Sequence, residues 1–594
     1  MKFLLSLLLN LFVANGILAS DHIVVTTTSG DVYGSKKNKV ILFEDIPYAK
    51  PPIGYLRWKA PRPITEPVKI FPKKNNFCMQ RPSNLGGAKG DKFYVGTEDC
   101  LYLDIHVPKN SVGNLPVMLW IHGGGNTSGL KDIYDFSKMV SKHEVIVVRI
   151  NYRLGPFGWF THPSIQDLQD GDDKTSNFGT LDIIMALKWV KNNISKFGGD
   201  SSNVTIFGES AGGHNVLSLL ASKKAKGLFH KAISMSGYTT SISLDDAYKS
   251  STQSATSNYS SSKVVNKLTE EFNSNNLDES ENKQNQRDIL LSISAEDFFK
   301  VYADRQPYEE IPLLTADGIV IPKLGLRNAL SQKEHLNIVP TILGSNRDEV
   351  KLWLATARYF VDLDYSLIGS ILRIPKVKLT DEQSFEAFNY YRSSAWKIRG
   401  VDEPLRLLGS AGNKNLYAYR YDWDDHRRFV VADFQKLIGA AHATEIPLLS
   451  GNSNLVGGYP LSDLIYPPSL SKKYTSKNMM LFWTNFAKTG NPGQSSNSIK
   501  WELFNGSDKE TNYLIIDKKS KLRMVNNVVS YESLTNEIII DERLSDLEKC
   551  VVLFQMFTYV GEDVYEEKIS NYPKKCSRKR TEEFLKNNAS YIEY

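Results

Sequence analysis

The chain has 594 residues, of which 41% are hydrophobic and 23% charged, values of an ordinary folded protein rather than a disordered or collagen-like one. Its 72 basic and 66 acidic residues leave a net charge of only +6, which makes no electrostatic case for a nucleic-acid partner. Such a length would ordinarily suggest several domains.

Residues 1–20 carry Lys2, an apolar stretch from Phe3 to Leu18 broken by Asn10 and Asn15, and small residues at Ala19 and Ser20 before Asp21. This pattern predicts a secretory signal peptide, and with it a secreted or organelle-lumenal protein. No later segment is apolar enough to span a bilayer, and the last residues, Ala589 to Tyr594, have neither a lipid-anchor tail nor a KDEL-type signal. Four cysteines suit the oxidising route.

The apolar run Leu115-Pro116-Val117-Met118-Leu119-Trp120 predicts a strand, and Ile121-His122-Gly123-Gly124-Gly125 after it predicts a glycine loop. Bare glycine backbone can bring N–H groups up to a substrate oxygen. A second strand, Val204-Thr205-Ile206, runs into Phe207-Gly208-Glu209-Ser210-Ala211-Gly212-Gly213. A serine between glycines at a strand-to-helix turn is the sequence form of a nucleophile elbow. With 39 glycines in the chain, that pattern alone should occur by chance about 0.2 times, so the neighbouring glycine loop is what gives it weight.

From Ser241 to Gln286 the chain is rich in Ser, Asn, Lys and Glu, with Val264, Val265, Leu268 and Phe272 at helical spacing. It reads as a surface helix in a polar, solvated insertion, about 241–286.

A serine hydroxyl needs a base and an orienting acid, and in hydrolases with this elbow both follow the serine in the chain. The apolar Val339-Pro340-Thr341-Ile342-Leu343 predicts a third strand, ending in Gly344-Ser345-Asn346-Arg347-Asp348-Glu349. The residues themselves do not choose between Asp348 and Glu349. Of ten histidines, those after the elbow are His214, His230, His335, His426 and His442. His214 falls within the helix the elbow opens, His230 and His335 in a helix end and a surface loop, and His426 in a charged, solvated segment. His442, in the small-residue stretch Gly439-Ala440-Ala441-His442-Ala443-Thr444-Glu445, is the best candidate base. His442 and Glu445 are ligand-capable, but no third ligand stands nearby, so neither metal nor cofactor is expected.

The tail from Glu548 to Tyr594 holds an apolar run, Val551 to Tyr559, and a basic cluster of Lys574, Lys575, Arg578, Lys579 and Arg580. It reads as a docked helix followed by a solvated charged end.

These motifs, with FEDIPYAKPPIGYLRW from Phe43 to Trp58, EDCLYLDIHVP from Glu98 to Pro108, NYRLGPFGW from Asn151 to Trp159 and NFAKTGNP from Asn485 to Pro492, resemble the type-B carboxylesterases, the family that includes the cholinesterases. The resemblance runs from about residue 23 to about residue 520. It implies an α/β-hydrolase fold, with one large, mostly parallel central sheet flanked by helices on both faces. The chain then divides into a signal peptide at 1–20, an esterase domain at 21–545 and a C-terminal extension at 546–594. The resemblance makes Ser210 the nucleophile, His442 the general base and Glu349 the acid, with Gly124, Gly125 and Ala211 as backbone oxyanion donors. It implies ion pairs of Arg57 with Glu98 and Arg153 with Asp182, a carboxylate at Glu209 facing the site floor, and a disulfide between Cys78 and Cys100. Cys550 and Cys576, beyond the family core, are left to pair by elimination.

The activity implied is hydrolysis of small to medium carboxylic esters, with a small-molecule ester as the partner. The alternative is a stored, structural or adhesion protein built on the same fold. Cholinesterases carry a tryptophan in the first disulfide loop; between Cys78 and Cys100 this chain has only Phe93 and Tyr94, which disfavours choline esters. Asn126 stands where relatives commonly have an aromatic residue, and is expected to place an amide near the acyl pocket. Sequons at Asn193, Asn203, Asn258, Asn505 and Asn588 are candidate glycosylation sites, whereas the one at Asn126 adjoins the glycine loop and is expected to be inaccessible.

Overall fold

The computed structural model describes residues 23–592 apart from 71–75, 84–85, 111, 250–256, 259, 270–278, 305–308, 311–312, 365–375, 430–431, 454–464, 508–509 and 559–575. The expected signal peptide, Phe272 of the insertion, and Lys574 and Lys575 of the tail lie outside the described residues.

Twelve strands form one sheet: β1 (Ile23–Thr27), β2 (Gly30–Lys37), β3 (Val40–Pro47), β4 (Tyr102–Pro108), β5 (Leu115–Ile121), β6 (Ile146–Ile150), β7 (Gly199–Glu209), β8 (Lys231–Met235), β9 (Thr341–Asn346), β10 (Leu416–Tyr421), β11 (Asn512–Ile516) and β12 (Arg523–Asn526). They lie in the order β1-β2-β3-β4-β6-β5-β7-β8-β9-β10-β11-β12. From β6 to β11 every neighbouring pair is parallel, while the β1 to β4 edge and β12 pair antiparallel. The three strands expected from the sequence are β5, β7 and β9.

A parallel strand covered on both faces needs apolar residues along its length, and β5 supplies them at every position, while β6 does so except at Arg149, whose buried guanidinium pairs with Asp104 at 2.6 Å. Alternate side chains serve two cores. Leu119, Ile121, Val148 and Ile206 pack on one face with Leu187 and Val190 of the helix Phe178–Asn193. Met118, Trp120, Val147 and Phe207 pack on the other with Phe482 and Trp483 of the helix Leu470–Thr489. Each such side chain contributes about 1.5–3 kcal/mol by leaving water.

The ion pairs Arg57–Glu98 and Arg153–Asp182 are formed, each with a 2.7 Å contact. Among the described residues, one acidic trio has metal-ligand spacing, Asp45, Asp104 and Asp132, and the buried Lys131 ammonium fills it at 2.9, 2.9 and 2.8 Å. Cys78 is bonded to Cys100 and Cys550 to Cys576.

The insertion helix Ser261–Thr269 is less solvated than expected. Val264 and Val265 are fully buried against Phe298 and Phe299, because its apolar stripe finds the aromatic cluster around Trp58. The apolar run of the tail forms the helix Asp546–Thr558, buried from Cys550 to Phe557 against the helix Glu382–Lys397. Arg578, Lys579 and Arg580 open a further helix, Arg578–Ile592, and Lys579 and Arg580 are exposed.

Candidate active site

The site lies at the carboxyl ends of the parallel strands, where βα loops converge in open α/β sheets. Ser210 follows β7 and opens the helix Ala211–Leu220 with φ 59° and ψ −122°, a strained backbone for a residue with a Cβ. The neighbouring chain leaves no room for larger residues. A side chain at Gly212 would meet the Ile121 carbonyl at 2.0 Å, and one at Gly123 would meet Glu209 Oε2 at 3.0 Å and Ser210 Cβ at 3.1 Å. The elbow and the glycine loop after β5 are thus pressed together. Among the described residues, none accepts a hydrogen bond from the backbone N–H of Gly124, Gly125 or Ala211.

His442 stands in the loop before the helix Ile446–Ser450, and its Nδ1 hydrogen-bonds Glu349 Oε2 at 2.6 Å. Glu349 has no exposed surface. Its Oε1 accepts from Ser236 Oγ and from the Asn346 N–H, both at 2.6 Å, and its own carbonyl accepts the His442 N–H at 3.1 Å. Asp348 points elsewhere: it accepts from the Arg347 guanidinium at 2.7 Å, from Asn389 Nδ2 at 2.8 Å and from the Ala440 N–H at 2.9 Å. The pair that the sequence left open is therefore split by geometry, one carboxylate on the histidine and one bracing the loop that carries it.

Glu209 does face the site floor. Its Oε1 lies 3.0 Å from His442 Nε2, close enough for an ion pair but not aligned for a hydrogen bond, so Nε2 has no hydrogen-bond partner among the described residues, Ser210 Oγ included. Such bonds often tighten only when substrate is bound. Glu445 lies behind the histidine, held by Asn346 Nδ2 at 2.6 Å. Burial pushes Glu209 up to about 7 and Glu445 up to about 8, since each resists ionising away from water. Burial alone would lower the His442 pKa, but Glu209 and Glu349 outweigh it and raise the imidazole to about 9. His214 and His426 are pushed down to about 4 by burial, which at His426 outweighs the upward pull of the Gly439 carbonyl and of Asp424 and Asp425.

Sequence reasoning placed His426 in a solvated segment; it is 5% exposed, its Nε2 2.8 Å from the Gly439 carbonyl, because Trp423 and Tyr466 enclose the ring. It also missed the aromatic wall. The rings of Trp353 and Trp396 lie 5.1 and 4.9 Å from that of His442 and stack on each other at 5.8 Å. Ser236 and Asn346, which hydrogen-bond Glu349, were missed as well, although Ser236 follows β8 and Asn346 closes β9 at the end of the sheet where site residues gather.

Asn126 is fully buried, so its sequon is closed as expected, but its amide oxygen is turned to Asn215. Asn193 is corrected as a glycan site. It has no exposed surface and its amide donates to Thr28 Oγ1 and the Trp189 carbonyl, ties that hold the helix end under β1. Asn505 is exposed, Asn203 and Asn588 are half-buried, and the side chain of Asn258 lies outside the described residues.

A model of the carboxylesterase family matches residues 21–399 and 398–533. The chain is 33% identical over 521 residues to a para-nitrobenzyl esterase of Bacillus subtilis, covering 84% of this chain and 95% of that one. It is 31% identical over 548 residues to a liver carboxylesterase of Sus scrofa, covering 83% and 89%. Among solved structures, a PNB esterase superposes with a TM-score of 0.62 at 28% identity, covering 86% of this chain and 99% of that one. A sheet of this topology matched along nearly the full length of known esterases leaves one assignment: the chain belongs to the type-B carboxylesterase family and is a serine carboxylesterase of the α/β-hydrolase fold.

Proposed function

We propose that the chain is a secreted carboxylic-ester hydrolase working by two-step acyl transfer through Ser210, His442 and Glu349. The observation that carries this reading is the 2.6 Å contact of His442 Nδ1 with the buried Glu349, beside a serine held in a strained elbow. Ser210 Oγ attacks the ester carbonyl while His442 Nε2 takes its proton. Glu349 keeps the imidazole in the tautomer with Nδ1–H and stabilises the imidazolium. The carbonyl oxygen, now negative, is met by the N–H groups of Gly124, Gly125 and Ala211, each such donor typically contributing about 3 kcal/mol in a dry site. His442 returns the proton to the leaving alcohol, and water repeats the sequence on the acyl-serine.

Secretion is supported by the leader-like residues 1–20 and by two disulfides, which persist in oxidising compartments. On the same reading, residues 21–545 form the esterase domain and 546–594 an extension docked upon it. The name of the bacterial relative makes para-nitrobenzyl esters a natural first substrate, followed by p-nitrophenyl esters of rising acyl length. The test is hydrolysis of that panel by purified protein, with a fluorophosphonate as covalent probe. The expected result is turnover, abolished by one equivalent of probe, with the added mass on the peptide that contains Ser210. Turnover with the mass elsewhere would refute the mechanism, and absence of turnover would favour a stored or structural protein.

A further inference from the structure

The candidate oxyanion donors come from two separate segments, the glycine loop and the helix Ala211–Leu220, and a pair of asparagine side chains ties these together. Asn126 closes the loop with φ 57°, a left-handed conformation that asparagine tolerates better than most residues. Its carbonyl accepts from the Gly155 N–H at 2.7 Å. Its side-chain oxygen accepts from Asn215 Nδ2 on the helix at 2.9 Å and from the Tyr152 hydroxyl at 3.3 Å. That hydroxyl also donates to the His122 carbonyl at 2.7 Å, at the start of the loop. Asn126 and Asn215 have no exposed surface.

Packing alone does not explain the pair. Asn126 Nδ2 and Asn215 Oδ1 are buried without a hydrogen-bond partner among the described residues, a cost in stability that two apolar side chains of the same shape would avoid. What the bond offers is direction. The β5–β7 ladder joins the two segments only as far as Ile121 and Gly208; beyond it Gly123 stands so close to the elbow that a Cβ there would fall 3.1 Å from Ser210 Cβ, and an N–H···O bond adds a fixed separation and angle to that close approach.

We propose that the Asn215–Asn126 hydrogen bond is a positioning device: it sets the Gly124 and Gly125 N–H groups against that of Ala211, so that all three converge on one oxygen. This inference rests on the acyl-transfer reading above. It makes Asn126 and Asn215 positioning residues, and it concerns the transition state, where the oxyanion forms, rather than binding of the ester.

The test compares Asn126→Ala, Asn215→Leu and the double variant with wild type in the full chain, using a p-nitrophenyl ester and an alkyl trifluoromethyl ketone, to whose carbonyl Ser210 Oγ adds, its proton passing to His442, to leave a tetrahedral hemiketal oxyanion. Each single substitution should lower kcat roughly ten- to a hundredfold, the scale of a misplaced or lost donor, with KM changed by less than about threefold. Affinity for the ketone should fall by the same factor, and the double variant should be no worse than the more damaged single one, since both remove the same bond. Losses that multiply, a rise in KM with kcat kept, or unchanged ketone affinity would each overturn the proposal. Should Asn215→Leu fail to fold, Asn215→Ala, which removes the donor at a helical position that alanine favours, still decides it through the ratio of ketone to substrate effects. An inactive wild type would overturn both readings, whereas an active wild type with unaltered variants overturns this one alone.

Discussion

The indole of Trp396 lies 4.9 Å from the imidazole of His442, and the same indole belongs to the apolar cluster that the C-terminal helix Asp546–Thr558 completes. Trp396 stands in the last turn of the helix Glu382–Lys397, and Val551, Val552, Leu553 and Phe557 pack in the cluster around that helix. The extension is therefore joined to the wall of the site. Phe557→Ala should cost about 3–5 kcal/mol, the usual loss for a buried phenylalanine, visible as a lower midpoint in urea. Truncation after residue 545 strips several side chains of about 1.5–3 kcal/mol each from a fold with a margin of 5–15 kcal/mol, so it should yield unstable, inactive protein. A truncated protein with full activity and an unchanged midpoint would show that the helix is an appendage.

The adjacent carboxylates Asp348 and Glu349 should separate cleanly on mutation. Glu349→Gln keeps the shape but loses the anion that orients and balances the imidazole, and kcat should fall on the order of 10⁴-fold. Asp348→Asn instead removes the anion paired with the Arg347 guanidinium and leaves one acceptor oxygen for three donors, the Arg347 guanidinium, Asn389 Nδ2 and the Ala440 N–H. It should lower the melting temperature while leaving kcat within about tenfold. If Asp348→Asn proves the more damaging to kcat, the two roles have been assigned the wrong way round. Ser210→Ala and His442→Ala, by contrast, should each cost on the order of a millionfold in kcat without loss of folding.

How much of this was legible in the residues depends on the range of the signal. Strands β5, β7 and β9 and the elbow are local: apolar runs ending in glycine or polar turns, with a period that a single strand sets. The choice of Glu349 over Asp348 is not local. It depends on a histidine 93 residues away and on Ser236 from another strand, and only the family resemblance reached it beforehand. Trp353 and Trp396 were invisible for the same reason, since nothing about either stretch marks its contact with a third segment. His426 and Asn193 were misread because charged or sequon-bearing surroundings look like surface, while burial is decided by which side chains fold over them.

The pH response follows from the carboxylates around His442. On the proposed acyl-transfer mechanism the imidazole must be neutral to take the serine proton, so kcat/KM should rise with pH as His442 loses its proton. Glu209 and Glu349 favour the imidazolium and hold that rise at higher pH than an isolated histidine would show. Glu209→Gln removes one negative charge 3.0 Å from Nε2. The proton is then held less tightly and the acid limb of the profile should move to lower pH. An acid limb that stays put, or moves upward, would mean that Glu209 carries no charge while His442 titrates.

Substrate charge should be discriminated at the aromatic wall. The first disulfide loop has no tryptophan, and its Phe93 is 47% exposed and already covered by the Arg81 guanidinium at 5.1 Å. Trp396 offers an indole beside His442, but the Arg399 guanidinium lies 4.5 Å from that ring and 5.2 Å from the ring of Tyr238. A cation over an aromatic face gains up to about 2 kcal/mol when desolvated, yet here one cation is already in place and a second would meet like charge. Uncharged esters of simple alcohols should therefore show higher kcat/KM than acetylcholine or butyrylcholine. Arg399→Gln should narrow the gap by improving the choline esters more than the neutral ones. Kinetics on matched butyryl esters decide it: equal or better turnover of the choline ester by the wild type would remove Arg399 from any part in selectivity.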